Sequence, residues 1–174
     1  GGVLDLTSVR THGRLVQMTT LLDRLVITVP DLGAARHDYQ QLLGVEAVEF
    51  SEFGIGARAW FFLSNVVIEL RVEAVSRAVL SGLVFSRPDC GPLDTLLDNP
   101  LGLQLETCDG SVSAQCRSNN EFTPSSVSVD HIVLRTASAD ACVDFFGAKL
   151  GIRLALDKTV PQWGGRMLFF RTGK

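Results

Sequence analysis

The chain has 174 residues, of which 46% are hydrophobic, and it carries a formal net charge of −3 at pH 7. Such a chain is long and apolar enough to bury one core, or one domain and part of a second, which excludes an intrinsically disordered protein. Its basic residues are scattered, its four cysteines lack the spacing of a zinc site, and no apolar run approaches the ~18 residues of a membrane span. We therefore expect a cytoplasmic protein with reduced thiols and with neither a nucleic-acid nor a membrane partner.

The first structural unit is predicted over residues 21–74. Residues 25–29 alternate between aliphatic and mixed positions, which is typical of a strand with one buried face. A helix follows, because Asp31 can cap free amide groups and Gly44 stands where a left-handed helix terminus favours glycine. Three strand-like runs complete a βαβββ unit, at residues 45–50, 58–63 and 66–72.

The opening strand and helix of this unit recur twice along the chain. Residues 24–44 align with residues 82–102 without a gap, with seven identities in 21 positions. A third copy, residues 131–151, has fewer identities but keeps the apolar positions, and Ser138 can cap its helix. A repeat with both ends fixed indicates that the three segments fold alike.

The repeats also predict the domain organisation. In the second unit Asp89 would cap a helix that ends at Gly102, and strands are expected at residues 103–107 and 112–116. After it the composition turns to Ser, Asn, Thr and Pro without periodicity, which indicates a linker. We predict an N-terminal tail (1–20), a first domain (21–118) made of two units (21–74 and 78–118), a linker (119–128), and a third unit (129–174) that is an incomplete half of a second domain.

A strand, a helix ending in Leu-Gly and three further strands, repeated in tandem, resemble the vicinal-oxygen-chelate superfamily of glyoxalases, bleomycin-resistance proteins and extradiol dioxygenases. The run Val-Asp-His-Ile-Val-Leu at residues 129–134, followed by Gly151, resembles the family most closely. The resemblance implies an α+β fold of tandem βαβββ modules, paired into a half-barrel mixed sheet with the helices outside. It carries little information on the reaction, because one fold hosts many activities.

The resemblance further implies where a metal would bind, because family members take ligands from the first and fourth strands of each module. The first-strand positions are Arg24, Gly82 and His131, and the fourth-strand position of the first unit is Glu69. A catalytic site usually has three ligands, and the first domain would keep at most Glu69. We therefore expect no metal in the first domain; a divalent metal (Fe, Mn, Zn or Ni) would belong to the second domain, with His131 as a ligand.

Arg24 and Glu69 are both predicted on the inner face of the first domain. Since guanidinium and carboxylate match in shape, we expect an ion pair where the metal would otherwise lie. Two alternatives stay open: Glu69 is a metal ligand, or Arg24 or Arg71 holds an anionic small molecule. In a ligand-binding cup, Trp60 and Phe62 would supply the apolar lining.

Two functions follow from the resemblance. The first is a metal-dependent small-molecule enzyme (a lyase, isomerase or dioxygenase) in the intact protein, with a degenerate first-domain site and a metal acting as Lewis acid on two vicinal oxygens. The alternative is a metal-free protein of the bleomycin-resistance type that binds or sequesters a small molecule. A third hypothesis, in which the modules serve only to form a homodimer, would leave no ligand-sized pocket.

Overall fold

A computed structural model describes residues 19–50, 56–99, 101–119, 125–163 and 165–172. Over these residues the fold is α+β, with a mixed seven-stranded sheet, a separate two-stranded hairpin and three α-helices. The helices are α1 (Leu32–Leu43), α2 (Ser111–Asn119) and α3 (Ala139–Cys142), which continues as π-helical turns over Val143–Lys149. The strands are β1 (Leu21–Val29), β2 (Val48–Phe50), β3 (Arg58–Phe62), β4 (Val67–Val72), β5 (Val79–Ser86), β6 (Thr95–Leu96), β7 (Gln104–Cys108), β8 (Arg153–Val160) and β9 (Gly165–Arg171).

The seven-stranded sheet is ordered β2-β3-β4-β1-β5-β7-β6. Its centre is an antiparallel pair, β1 and β5, and each of these strands pairs in parallel with an outer neighbour, β4 or β7. On each side of this central pair, the parallel neighbour in turn pairs antiparallel with the next strand outward, β4 with β3 and β7 with β6. A parallel pair needs a long crossover connection, which between β1 and β4 contains α1 and two strands.

Strand alternation divides the side chains of this sheet between two faces. The outer face packs against α1 and the π-helical turns and holds the main hydrophobic core, with Leu25, Phe61, Leu70, Leu83 and Leu105 at 6% exposure or less. The inner face lies under α2. None of the helices among the described residues is long and apolar enough to cross a membrane.

The first unit has the elements that its sequence predicts. Asp31 caps α1 by accepting a hydrogen bond from the Ala34 amide at 3.0 Å, and Gly44 ends the helix with a left-handed φ of 66°. Helix α1 covers the outer face, where the rings of Tyr39 and Phe61 lie 6.0 Å apart between centroids. Strands β2, β3 and β4 follow at the predicted places.

The helix predicted from Asp89 to Gly102 in the second unit is wrong. The described residues of this stretch form turns and the short strand β6. Pro100 would interrupt the last turn of that helix. The side-chain amide of Asn99 instead fixes a turn by donating hydrogen bonds to the carbonyl oxygens of Leu97 and Leu103 at 3.1 and 2.8 Å. The gapless match to the first unit therefore extends over the strand but not over the helix.

The strand predicted at residues 112–116 is also wrong, because this stretch lies within α2. The Asp109 side chain accepts a hydrogen bond from the Ser111 amide at 2.8 Å at the start of this helix. Val112 and Cys116 are spaced by four residues, which suits one helix face as well as one strand face. The strand predicted at residues 103–107 is confirmed as β7.

The third unit has its helix but not its first strand. Ser138 caps α3 as predicted, with its hydroxyl oxygen accepting from the Ala141 amide at 3.3 Å. The strand predicted at residues 131–135 is wrong: the stretch is in no strand pair of the described residues. A strand needs a neighbour that satisfies its backbone groups, and hydrophobic alternation alone does not supply one.

The third unit packs on the outer face of the sheet, over β5 and β7, where the second unit lacks a helix. The ring of Phe146 lies 6.2 Å from that of Phe85 on β5 and 5.3 Å from that of Phe170 on β9. Phe170 therefore takes the place that Phe61 has in the first unit.

Candidate functional site

Helix α2 covers the inner face of the seven-stranded sheet. The Ser113 hydroxyl donates a hydrogen bond to Asp23 at 2.5 Å, and the guanidinium of Arg117 lies 5.1 Å from the ring centre of Phe62. Trp60 and Phe62 are only 5% and 6% exposed beneath this cover. A small molecule could reach these two rings only if α2 moved away.

Glu69, on β4, is fully buried at the centre of the inner face and accepts hydrogen bonds from three arginines. The donors are Arg24 Nε at 2.9 Å, Arg58 Nη1 at 2.7 Å and Arg71 Nε at 2.8 Å. Because β3, β4 and β1 are neighbours in the sheet, their inner-face side chains lie side by side. The ion pair expected between Arg24 and Glu69 is present as part of this larger group.

Three further carboxylates complete the group. Glu106 on β7 accepts hydrogen bonds from both terminal nitrogens of Arg71, each at 2.8 Å, and from the Gln104 amide at 2.9 Å. Asp94 pairs with all three arginines, and Asp23 accepts from Arg24 Nη1 at 2.6 Å. We call the seven residues the inner-face ion cluster: Asp23, Arg24, Arg58, Glu69, Arg71, Asp94 and Glu106.

Carboxylates of this cluster raise the pKa values of Arg24 and Arg71 despite burial. Desolvation opposes the charge of Arg24, but the carboxylates of Asp94, Glu69 and Asp23 outweigh it and raise the pKa of Arg24. Desolvation likewise opposes the charge of Arg71, and hydrogen bonds to Glu106 and Glu69 raise the pKa of Arg71. The guanidinium groups of Arg24 and Arg71 are therefore committed to partners within the chain.

The arginine at the start of β1 also contacts an aromatic ring. The guanidinium carbon of Arg24 lies 4.5 Å from the ring centre of Trp60, within the range of a cation–π interaction. Arg24 is 2% exposed and Arg71 is 8% exposed, so neither presents a free guanidinium to solvent. The residues expected to bind a ligand, Arg24, Arg71, Trp60 and Phe62, are brought together, but as buried packing beneath α2.

Glu69 and Gly82, two of the expected metal positions, are occupied by interactions within the chain. Both oxygens of Glu69 accept from arginines, which compete directly with a cation. A side chain at Gly82 would place its Cβ 2.5 Å from the backbone carbonyl oxygen of Gln104, so the parallel pairing with β7 requires glycine there. Among the described residues, no group of three or more His, Cys, Asp or Glu is arranged to hold a metal ion.

His131, the third expected metal position, is exposed in the third unit. Its Nδ1 lies 2.9 Å from a carboxylate oxygen of Asp130, and the His131 side chain is 71% exposed. A carboxylate on one ring nitrogen fixes the orientation of an imidazole and leaves Nε2 to act as a ligand or a base. His131 is therefore accessible in a way that Arg24, at the corresponding position of the first unit, is not.

A cavity of about 470 Å³ lies between the third unit and the outer face of the seven-stranded sheet. Its walls are mostly apolar, with Asn65, Asp130, His131 and Thr172 as the polar exceptions. The apolar lining includes Leu22, Val66, Ile132, Phe146, Ile152 and Phe170.

Neither a scan against protein-family models nor a search of curated proteins finds a match to this chain.

Sequence reasoning missed four members of the inner-face ion cluster: Asp23, Arg58, Asp94 and Glu106. Strand alternation could have found Arg58, which shares a face with Trp60, and Glu106, which lies two residues from Gln104 on β7. Asp94 comes from the turns that replace the predicted second helix, so no periodic signal places it near Arg24.

The pKa of Glu106 predicts a dependence of stability on pH. Burial alone would raise that pKa, but hydrogen bonds and charge from Arg71 outweigh burial and lower it below the ordinary value of 4.5. A lowered carboxyl pKa contributes stability above the unfolded-state value, and this contribution is lost as pH falls through the folded-state value.

We expect the stability difference between wild type and Glu106→Gln to be large at neutral pH and to shrink below about pH 4.5. Urea denaturation of both proteins at neutral and acidic pH measures this difference. The exposed Glu73→Gln is the control and should stay within about 0.5 kcal/mol of wild type at neutral pH. A Glu106→Gln difference that is unchanged by acid would contradict the assignment.

Proposed function

We propose that this protein is a metal-dependent small-molecule enzyme of the glyoxalase or dioxygenase type, built from tandem βαβββ modules of the vicinal-oxygen-chelate kind paired into a half-barrel. In this proposal the first domain has lost its metal site and the reacting face belongs to the third unit. The strand order supports the module pairing, because each central strand, β1 or β5, has a parallel neighbour on its outer side.

The contrast between Arg24 and His131 carries the proposal. Both stand at the start of the repeated segment, yet Arg24 is sealed in an ion cluster while His131 presents an imidazole to solvent with a carboxylate behind it. An imidazole oriented in this way suits a divalent metal of the first transition series. His131 is one ligand, and the other ligands would come from outside the described residues.

When bound, a divalent metal would act as a Lewis acid on two neighbouring oxygens of a small substrate. The contribution of this chain is to hold the His131 ring through Asp130 and to keep the metal out of the first domain. There the carboxylate of Glu69 is already paired with three arginines, so a cation would have to break the hydrogen bonds that these arginines donate.

Paramagnetic broadening by Mn²⁺ tests where a metal binds, and it detects weak binding. In nuclear magnetic resonance spectra of the isotope-labelled chain, we expect Mn²⁺ to broaden signals of residues 129–133 and to leave those around Glu69 sharp. His131→Ala should abolish the broadening, whereas His37→Ala, which removes another exposed histidine on α1, should not. Broadening that persists in His131→Ala, that centres on Glu69, or that is absent near His131 contradicts the proposal.

A further inference from the structure

Helix α2 buries little apolar surface on the inner face of the seven-stranded sheet. Of its nine residues only Ser113 is buried, and Cys116, which packs against the aromatic residues beneath the helix, is partly buried. The π-helical turns of the third unit, in contrast, bury the rings of Phe145 and Phe146. Because the hydrophobic stabilisation of a docked helix grows with the apolar area that it buries, α2 is held less firmly than those turns.

Polar contacts from two side chains of α2 fasten the helix to the sheet. The Ser113 hydroxyl donates a hydrogen bond to Asp23 at 2.5 Å, and Nη1 of Arg117 donates one to the backbone carbonyl oxygen of Leu63 at 2.9 Å. The guanidinium of Arg117 also lies 5.1 Å from the ring centre of Phe62, within the range of a cation–π interaction. Water replaces such polar partners when a helix leaves, so breaking these contacts is much less costly than unfolding the sheet.

The backbone just before α2 has a hinge position. The amide of Asp109 donates to the carbonyl oxygen of Gly91 at 2.8 Å, which ties the chain down directly after β7. Gly110 follows with a left-handed φ of 76°, and Ser111 then begins α2. Since hinge motions are absorbed by one or a few residues at the end of an element, rotation at Gly110 would move α2 and leave β7 in place.

The inner-face ion cluster has its main bonds within the sheet. Glu69 accepts from arginines on β1, β3 and β4, and Glu106 on β7 accepts from Arg71 on β4. Helix α2 contacts the cluster through the hydrogen bond from Ser113 to Asp23. Displacement of α2 would therefore uncover the inner face while the arginines keep their carboxylate partners on the strands.

We propose that α2 is a lid, which detaches as a unit about Gly110 while the sheet stays folded. In the closed state the lid keeps solvent from the rings of Trp60 and Phe62, and in the open state solvent reaches them. The ion cluster stays fixed and α2 moves. The lid needs neither a metal nor His131, so it is independent of the proposed function.

Hydrogen exchange of the complete chain, followed by nuclear magnetic resonance, tests the lid with two kinds of probe. The indole nitrogen of Trp60 is buried and makes no hydrogen bond with the described residues, so its proton exchanges when solvent reaches the inner face. Backbone amides of residues 114–117 exchange in the same event, because a detached helix of nine residues is unstable in water. Trp163→Phe assigns the two indole signals.

We expect the Trp60 indole and the α2 amides to have protection factors within about threefold of each other, and about a hundredfold or more below those of amides in β4. Strand β4 lies between β3 and β1, so its amides exchange only when the sheet unfolds. Low concentrations of urea should change the exchange of the two lid probes little, since a local opening exposes little surface.

Two variants separate opening of the lid from unfolding of the sheet. Arg117→Ala removes the contacts with Leu63 and Phe62 and is expected to speed exchange of both lid probes about tenfold or more, whereas Gln115→Ala, at an exposed residue of the same helix, should not. Phe146→Leu weakens the core of the sheet, which stays packed in the open state. It should therefore speed exchange of the β4 amides about tenfold or more and leave both lid probes unchanged.

Three results would overturn the lid. The first is a Trp60 indole that is protected as strongly as the β4 amides, or that responds to Phe146→Leu as they do, because its exchange would then require unfolding of the sheet. The second is a Trp60 indole that Arg117→Ala leaves unchanged. The third is exchange of the α2 amides more than about tenfold faster than that of the indole, which would assign them to fraying of the helix without access to the inner face.

Discussion

Glu69→Gln is expected to lower the free energy of unfolding by about 3–5 kcal/mol, because it removes one member of a buried ion cluster and leaves the other charges in place. Glu69 is fully buried and accepts hydrogen bonds from Arg24, Arg58 and Arg71. A glutamine keeps the size of the side chain but cannot neutralise the guanidinium of Arg24, which is 2% exposed. Urea denaturation at neutral pH measures the change.

The matched control for this variant is Glu49→Gln on the edge strand β2. Glu49 is also paired with an arginine, Arg36, but its side chain is 54% exposed, so its loss should cost no more than about 1 kcal/mol. If the two glutamine variants were equally stable, the inner-face ion cluster would contribute no more to stability than a surface ion pair, and the inner face of the sheet would not be sealed by it.

Phe146→Ala is expected to destabilise the protein by about 3–5 kcal/mol, because it opens a cavity where the third unit meets the sheet. Phe146 is 6% exposed and contacts the rings of Phe85, Phe145 and Phe170. The same variant should lower the midpoint of the whole unfolding transition, since the π-helical turns cover β5 and β7 in place of a helix of the second unit. Urea denaturation followed by tryptophan fluorescence measures both effects.

Phe169→Ala is the control for the core variant, because Phe169 lies on the other face of β9 and is 47% exposed. Phe169→Ala should lower the free energy of unfolding by about 1 kcal/mol or less. A Phe146→Ala effect of the same small size, or a separate transition that leaves unfolding of the sheet unchanged, would show that the third unit does not complete the core of the sheet.

The parts of the fold that could be predicted are those in which local signals agree. In the first unit, alternation in β1, the Asp31 cap and the Gly44 terminus all indicate the same strand and helix. In the second unit the alignment to the first unit conflicts with a local signal, since Pro100 would interrupt the last turn of the helix that the match implies. The described residues of this stretch are not helical, although Gly102 has the same left-handed φ of 66° as Gly44.

The parts that could not be predicted depend on contacts between distant segments. Whether residues 131–135 form a paired strand depends on a neighbouring strand, and their own alternation cannot supply one. A four-residue spacing such as that of Val112 and Cys116 fits a strand or a helix until its surroundings are known.

The candidate site was predictable to the extent that it lies on regular strands. Strand alternation in β1 and β4 predicts Arg24 and Glu69 on the same face of the sheet. In the structure Arg24 Nε lies 2.9 Å from a carboxylate oxygen of Glu69. The contribution of Asp94 could not be found, because it comes from an irregular segment 70 residues away along the chain. The covering of Trp60 and Phe62 by α2 could not be predicted, because the sequence pattern at residues 112–116 predicts a strand there and not this helix.

The sealing of the inner face of the seven-stranded sheet by ion pairs is tested most directly by the exchange rates of arginine Nε–H protons. Nuclear magnetic resonance spectra at neutral pH should show slowly exchanging Nε–H signals for Arg24 and Arg71, both of which donate to Glu69, and fast exchange for the exposed Arg77. Nε–H protons of Arg24 and Arg71 that exchange as fast as that of Arg77 would contradict the account.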